Sequence, residues 1–157
     1  MIGAVGEIEI ACAIKPNGCR RADPGAGPQF GGEAVRERRL RVRLESGLKE
    51  TPGVVLFASD VERLPNTVLV AIPGMRAETA VIGLDLAGVA VSAGSACSSG
   101  KVQPSHVVDA MGYGADLALG AVRLSLGWST TEAEVDLALQ AWRKLADSLL
   151  RGQRNTA

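Results

Sequence analysis

Cys97 stands in the run Ser92-Ala-Gly-Ser-Ala-Cys-Ser-Ser-Gly-Lys101, in which almost no side chain is bulky. Small polar neighbours cannot wall a sulfur into an apolar pocket, so the run predicts an accessible, working thiol. Lys101 nearby, and the positive end of a helix opening at Pro104, would favour the thiolate. The competing reading is a buried inert cysteine, the usual state of a lone Cys. Ser95, Ser98 and Gly100 share the loop and are secondary candidates for shaping it. Cys12 and Cys19 have no comparable setting.

Three further residues could take part. Arg123 interrupts the apolar run Ala121-Val-Arg-Leu-Ser-Leu126. It faces either solvent or a cleft, and its planar fork suits a carboxylate held by two parallel bonds. His106, the chain's single histidine, could act as acid or base, or simply cap or pack near a helix start. Asn66, in Leu-Pro-Asn-Thr, reads first as a turn residue bonded to nearby backbone.

Other chemistries fall away. Gly94 to Lys101 looks like a phosphate loop, but five residues separate its glycines and Val102 replaces the magnesium-holding Ser or Thr. The three cysteines and one histidine have no metal spacing, so no metal site is expected. Seventeen basic residues balance seventeen acidic ones, which gives no field to attract nucleic acid or an acidic membrane. No stretch approaches the roughly 20 apolar residues needed to span a bilayer, and Met1 to Ile14 makes a poor signal peptide. A reduced, cytoplasmic setting is the expectation. The basic run Arg36 to Arg43 is interleaved with Leu40, Val42 and Leu44 and reads as a solvated helix face.

The elements that must position these residues are legible from Glu33 onward. Glu33 to Glu50 is a helix stopped by Thr51-Pro52-Gly53. Val54 to Phe57, Thr67 to Ile72, Val89 to Val91 and Ala121 to Leu126 read as strands. Arg76 to Ala87 is a helix ended by Gly88, and Pro104 opens a short one through Met111. Thr131-Glu-Ala-Glu134 is a capping box opening the longest helix, Glu132 to Leu150, with Val135, Leu139, Trp142, Leu145 and Leu149 on one stripe. Residues 1–32 are Pro- and Gly-rich without hydrophobic period and read as an irregular head; 33–150 form the domain and 151–157 a tail. The order predicts an α/β domain, a two-layer α+β sandwich with a small, largely antiparallel sheet.

Arg63-Leu-Pro-Asn-Thr67, Ala90-Val-Ser-Ala-Gly-Ser-Ala-Cys-Ser-Ser-Gly100, Pro104-Ser-His-Val107 with Ala110-Met-Gly112, Val122-Arg-Leu-Ser-Leu-Gly127 and Thr130-Thr-Glu132 resemble, in this order, the C-terminal part of a cysteine desulfurase. These are pyridoxal-phosphate enzymes of the class V aminotransferase type. The resemblance covers about residues 33–150 and implies the small C-terminal domain of a fold-type I enzyme. It implies that Cys97 receives sulfur from L-cysteine as a persulfide, leaving L-alanine. It also implies that Arg123 binds the substrate carboxylate, with Asn66 assigned to the substrate site and His106 to a matching motif. A homodimer feeding iron–sulfur cluster assembly, through an acceptor such as a scaffold protein, is the implied context.

The departures are as informative. The family's cofactor lysine follows a histidine in a Ser-x-His-Lys motif, but none of Lys15, Lys49, Lys101 and Lys144 does so. The large domain and the Arg-x-Gly-Thr motif have no counterpart, and Arg20-Arg-Ala-Asp-Pro-Gly-Ala26 stands where the latter is expected. The expectation is a fragment inactive alone, with no cofactor-binding lysine of its own. A non-enzymatic persulfide acceptor, an interaction module and a degenerate truncated product are the alternatives.

Overall fold

The computed structural model describes residues 30–94 and 104–154. Among the described residues the elements run α1 (Phe30–Lys49), β1 (Val55–Leu56), β2 (Thr67–Ala71), α2 (Ala77–Leu86), β3 (Ser92–Ala93), α3 (His106–Ala110), α4 (Ala115–Gly120), β4 (Val122–Ser125) and α5 (Glu132–Arg154). The strands form one antiparallel sheet in the order β1-β2-β4-β3. This is the expected α/β sandwich.

Alternation along the central strands sorts their side chains onto two faces. Val68 and Val70 of β2, with Val122 and Leu124 of β4, enter the main core. There they meet Leu40, Leu44 and Leu48 of α1, Ala77, Ala80 and Leu84 of α2, and Val135, Leu139 and Trp142 of α5. The i, i+4 spacing on α1 and α5 predicts this stripe, and burial of such a face is what stabilises a helix in a small domain. Trp142 is fully buried, and its indole N–H donates to Thr51 Oγ1 at 3.1 Å. Leu145 and Leu149, expected on the same stripe, are only partly buried.

The helix ends follow local chemistry. The Thr131 N–H donates to Glu134 Oε2 at 2.7 Å, and the Glu134 N–H returns to Thr131 Oγ1 at 3.3 Å, closing the capping box. Gly88, at φ +82°, ends α2 in the left-handed conformation while the Val89 N–H reaches back to the Leu84 carbonyl at 2.8 Å.

Two expectations are corrected and one element is added. Strand β3 is Ser92–Ala93 rather than Val89 to Val91. Val89 is committed to the core, and its N–H to capping α2, so pairing starts only where the chain reaches β4. Helix α4 is an element that the sequence pattern does not signal: its six residues are too short to show a period, and it is held instead by burying Ala118 and Gly120. Helix α1 begins at Phe30 rather than Glu33, inside the stretch read as an irregular head.

The arginines of α1 are also more engaged than a merely solvated face. Arg36 donates to the Trp128 and Thr130 carbonyls, Arg39 pairs with Glu132, and Arg43 grips Asp136 with two bonds. These contacts zip α1 to the start of α5.

Among the described residues, the second face of the sheet is covered at one end. Phe57, Ala71, Val108, Ala118 and Ala121 form a small cluster there, with Tyr113 edge-on to Phe57 at 4.7 Å between ring centroids. Helices α3 and α4 supply this cover. Arg123 lies on the same face, on β4.

Candidate functional site

Alternation on β4 turns Arg123 and Ser125 away from the main core, whereas Val122 and Leu124 point into it. In antiparallel pairs, residues directly opposite share a face. Arg123 is opposite Leu69 on β2 and Ser92 on β3, and Thr67 is opposite Ser125. The second face therefore presents an arginine ringed by two serines, a threonine and the half-buried Leu69.

Arg123 is half-buried, and its Nε is buried with no hydrogen-bond partner among the described residues. A buried, unpaired N–H of a permanently charged group is unfavourable, so such groups normally find a partner. Among the described residues no carboxylate satisfies this edge of the fork. The arrangement suits an external anion of carboxylate shape.

Asn66 ends the turn before β2. Its backbone carbonyl accepts from the Leu126 N–H at 2.7 Å, and its Oδ1 accepts from the Thr67 hydroxyl at 3.2 Å. It thus lies at the Thr67–Ser125 end of the face that bears Arg123. The turn is fixed from behind by Glu45 of α1, a carboxylate 8% exposed. Glu45 pairs with Arg63 and, at 3.4 Å, with Arg41. Arg41 in turn donates to the Leu64 carbonyl at 2.8 Å, and Arg63 to that of Thr67 at 3.4 Å. Two guanidiniums on one buried carboxylate therefore hold the backbone on both sides of Asn66. Sequence reading missed this clamp, because a glutamate inside a charged helix looks like part of a solvated face.

His106 is exposed and is the first residue of α3. The helix opens there because Ser105 is the N-cap, its Oγ accepting from the Val108 N–H at 3.4 Å. Among the described residues, no hydrogen bond or ion pair joins His106 to Arg123 or Asn66.

Cys97, Ser95, Ser98 and Gly100 lie outside the described residues. Both flanks of their segment are described. The Gly94 N–H donates to the Ala121 carbonyl at 2.6 Å, and the Ser105 N–H to that of Ala118 at 3.2 Å. Both flanks are thus fastened to the α4–β4 junction that leads directly into Arg123.

The described lysines do not serve this face. Lys49 and Lys144 are exposed on α1 and α5, in the layer that covers the opposite side of the sheet. Among the described residues no three His, Cys, Asp or Glu side chains could hold a metal ion, and no helix is long and apolar enough to cross a membrane.

Comparison with known proteins fits this geometry. The family model described as Aminotransferase class-V matches residues 31–138. A cysteine desulfurase of Cereibacter sphaeroides is 42% identical over 121 residues, which cover 76% of this chain and 31% of the relative. Cysteine desulfurase IscS 1 of Archaeoglobus fulgidus is 40% identical over 112 residues, covering 71% of this chain and 29% of the relative. Among solved structures, a NifS-like protein from Rickettsia africae ESF-5 superimposes with a TM-score of 0.66 at 31% identity, covering 75% of this chain and 30% of that one. The chain therefore spans only about a third of the length of the relatives it matches. With motif order, sheet topology and family match in agreement, the chain belongs to the aminotransferase class-V family, and the curated relatives it resembles are cysteine desulfurases.

Proposed function

We propose that residues 33–150 are the sulfur-accepting, C-terminal part of a cytoplasmic cysteine desulfurase, flanked by a Pro- and Gly-rich head (1–32) whose end already belongs to α1 and by a short tail (151–157) that α5 enters. In this reading L-cysteine and the Cys97 thiol give L-alanine and a Cys97 persulfide: the substrate's Cβ–S bond is broken and a new S–S bond is formed at Cys97. Arg123 holds the substrate carboxylate, and Asn66 lines the same site. The loop residues Ser95, Ser98 and Gly100 leave Cys97 room to move, and His106 stands at its far flank. The persulfide then passes to an acceptor thiol, such as that of an iron–sulfur scaffold protein, and the working assembly is a homodimer.

The observation that carries this reading is the buried Nε of Arg123, without a hydrogen-bond partner among the described residues, in register with the strand that leads to Cys97.

The family's cofactor is pyridoxal phosphate, which labilises the substrate's Cβ–S bond by acting as an electron sink. The described residues do not fit it. The only described cation on this face is Arg123, and both described lysines stand on the far layer. The cofactor's lysine is therefore not among the described residues, and in this reading the chain alone is inactive as a desulfurase.

The test is a pair of incubations followed by mass spectrometry. With a small-molecule persulfide donor, the chain should gain one sulfur on the peptide bearing Cys97, and Cys97→Ser should not. With pyridoxal phosphate and L-cysteine alone, alanine should not form above the reagent blank. Absence of sulfur on Cys97 sinks the acceptor role and favours a pure interaction module. Alanine formed at a Cys97-dependent rate shows instead that this chain carries its own cofactor site.

A further inference from the structure

We propose that Ser92 is a second donor to the carboxylate held by Arg123; this rests on the reading of Arg123 above and adds a residue to that site. Leu69 of β2, Arg123 of β4 and Ser92 of β3 stand side by side at one register, because Arg123 is paired with both of the others. Directly paired residues point to the same face, with Cβ atoms about 4.5–5.5 Å apart. Arg123 therefore has a leucine on one side and a hydroxyl on the other. Leu69 packs on the small apolar cluster and offers a carboxylate no donor. Among the described residues, a ligand at this row finds its next side-chain donor on β3.

The other hydroxyls of the face are less well placed. The Thr67 hydroxyl is already donated to Asn66 Oδ1 at 3.2 Å. Ser125 lies along β4 from Arg123, roughly 7 Å away at two strand steps. Ser92 is half-buried, and among the described residues nothing bonds its hydroxyl. No described strand lies beyond β3 in the sheet. The edge of the fork that lacks a partner also favours Ser92. Nε is the guanidinium nitrogen nearest the backbone, so a carboxylate bridging Nε and one Nη sits close to the sheet, where a side chain as short as serine can reach it. A carboxylate offers about four lone-pair sites, and one fork takes two of them. The Ser92 hydroxyl fills a third.

The experiment titrates sodium propionate into the full chain, with ionic strength held constant by sodium chloride so that general screening is excluded. Binding is read from the Arg123 Nε–H resonance in two-dimensional NMR, assigned by its loss in Arg123→Gln. The wild-type resonance should shift saturably. Ser92→Ala should weaken binding about tenfold, the loss of one hydrogen bond to a charged group. Ser92→Thr keeps the hydroxyl and suits a strand, so its affinity should stay within about threefold of wild type. The backbone amide spectrum checks the fold of each variant.

A Ser92→Ala chain that binds propionate as tightly as wild type overturns the role of Ser92 and leaves Arg123 as the clamp. A folded Ser92→Thr chain as weak as Ser92→Ala does the same, since the hydroxyl would then not be the cause. Loss of the native amide spectrum in Ser92→Ala marks the hydroxyl as structural and also overturns its role as a donor. A wild-type Arg123 resonance that propionate does not shift saturably overturns the reading of Arg123, and that of Ser92 with it.

Discussion

Arg123 and Ser92 face each other across the β3–β4 ladder, so the strand leading to Cys97 passes directly beside the guanidinium before it leaves the sheet. The pairing joins the two ends of the proposed chemistry, a carboxylate clamp and a sulfur acceptor, through backbone hydrogen bonds alone. It makes Arg123 useful and also poorly satisfied, and the first prediction turns on that tension.

Arg123→Met keeps the length and most of the apolar contact of the side chain while removing the charge and the orphaned Nε. Because that Nε has no partner among the described residues, its loss should leave the thermal midpoint unchanged or raise it. Binding of carboxylate ligands should be lost. A fall of more than about 5 °C in a circular dichroism melt, roughly 1 kcal/mol for a domain of this size, would mark Arg123 as structural instead.

Glu45→Ala should be far more damaging. It leaves Arg41 and Arg63, whose side chains are only 13% and 15% exposed, without their shared carboxylate. Removing one partner of a buried ion pair costs about 3–5 kcal/mol. Urea denaturation should show a loss of that order. Hydrogen exchange at the Leu126 amide, which donates to Asn66, should accelerate more than exchange within α5.

Thr51→Val removes the acceptor of the Trp142 indole N–H without changing volume much, in a place where water does not reach. The expected loss is about 1–3 kcal/mol, the desolvation penalty of an unmet donor. The chain's other tryptophan, Trp128, is exposed, so Trp128→Phe should shift the fluorescence maximum to the blue by leaving only the buried indole.

Thr131→Ala and Arg39→Ala both act at the start of α5, yet their effects should differ. Thr131→Ala breaks the capping box and should cost about 1 kcal/mol. The Arg39–Glu132 pair is at least half exposed on both sides and should contribute under about 0.5 kcal/mol, vanishing in high salt. Equal losses for the two variants in chemical denaturation would show that the ion pair is worth more than its exposure implies.

Local chemistry explains which parts of the fold are legible in the amino-acid sequence. The capping box, the apolar stripes of α1 and α5, and the Thr51-Pro-Gly stop depend on residues within one or two turns of each other, so the sequence carries them directly. Motif order in turn reveals the family, because residues such as Asn66 and Arg123 keep their spacing to the cysteine loop. The short elements are not legible in the same way. Val89 to Val91 has the composition of a strand, but Val89 is drawn into the core and its amide caps α2. Helix α4 is defined by what presses on it: a Cβ on its last residue, Gly120, would collide with the Met75 carbonyl.

The sequence by itself determined the α/β class, the longest helices, the family resemblance and the identity of the thiol and the arginine to watch. Only the tertiary structure decided what surrounds that arginine. The register of three strands from distant parts of the chain sets Arg123 beside Ser92 and leaves its Nε without a partner among the described residues, and the Glu45 clamp ties α1 to the Asn66 turn. Strand register and the Glu45–Arg63 pair join residues that are distant in the chain, and no local spacing encodes them.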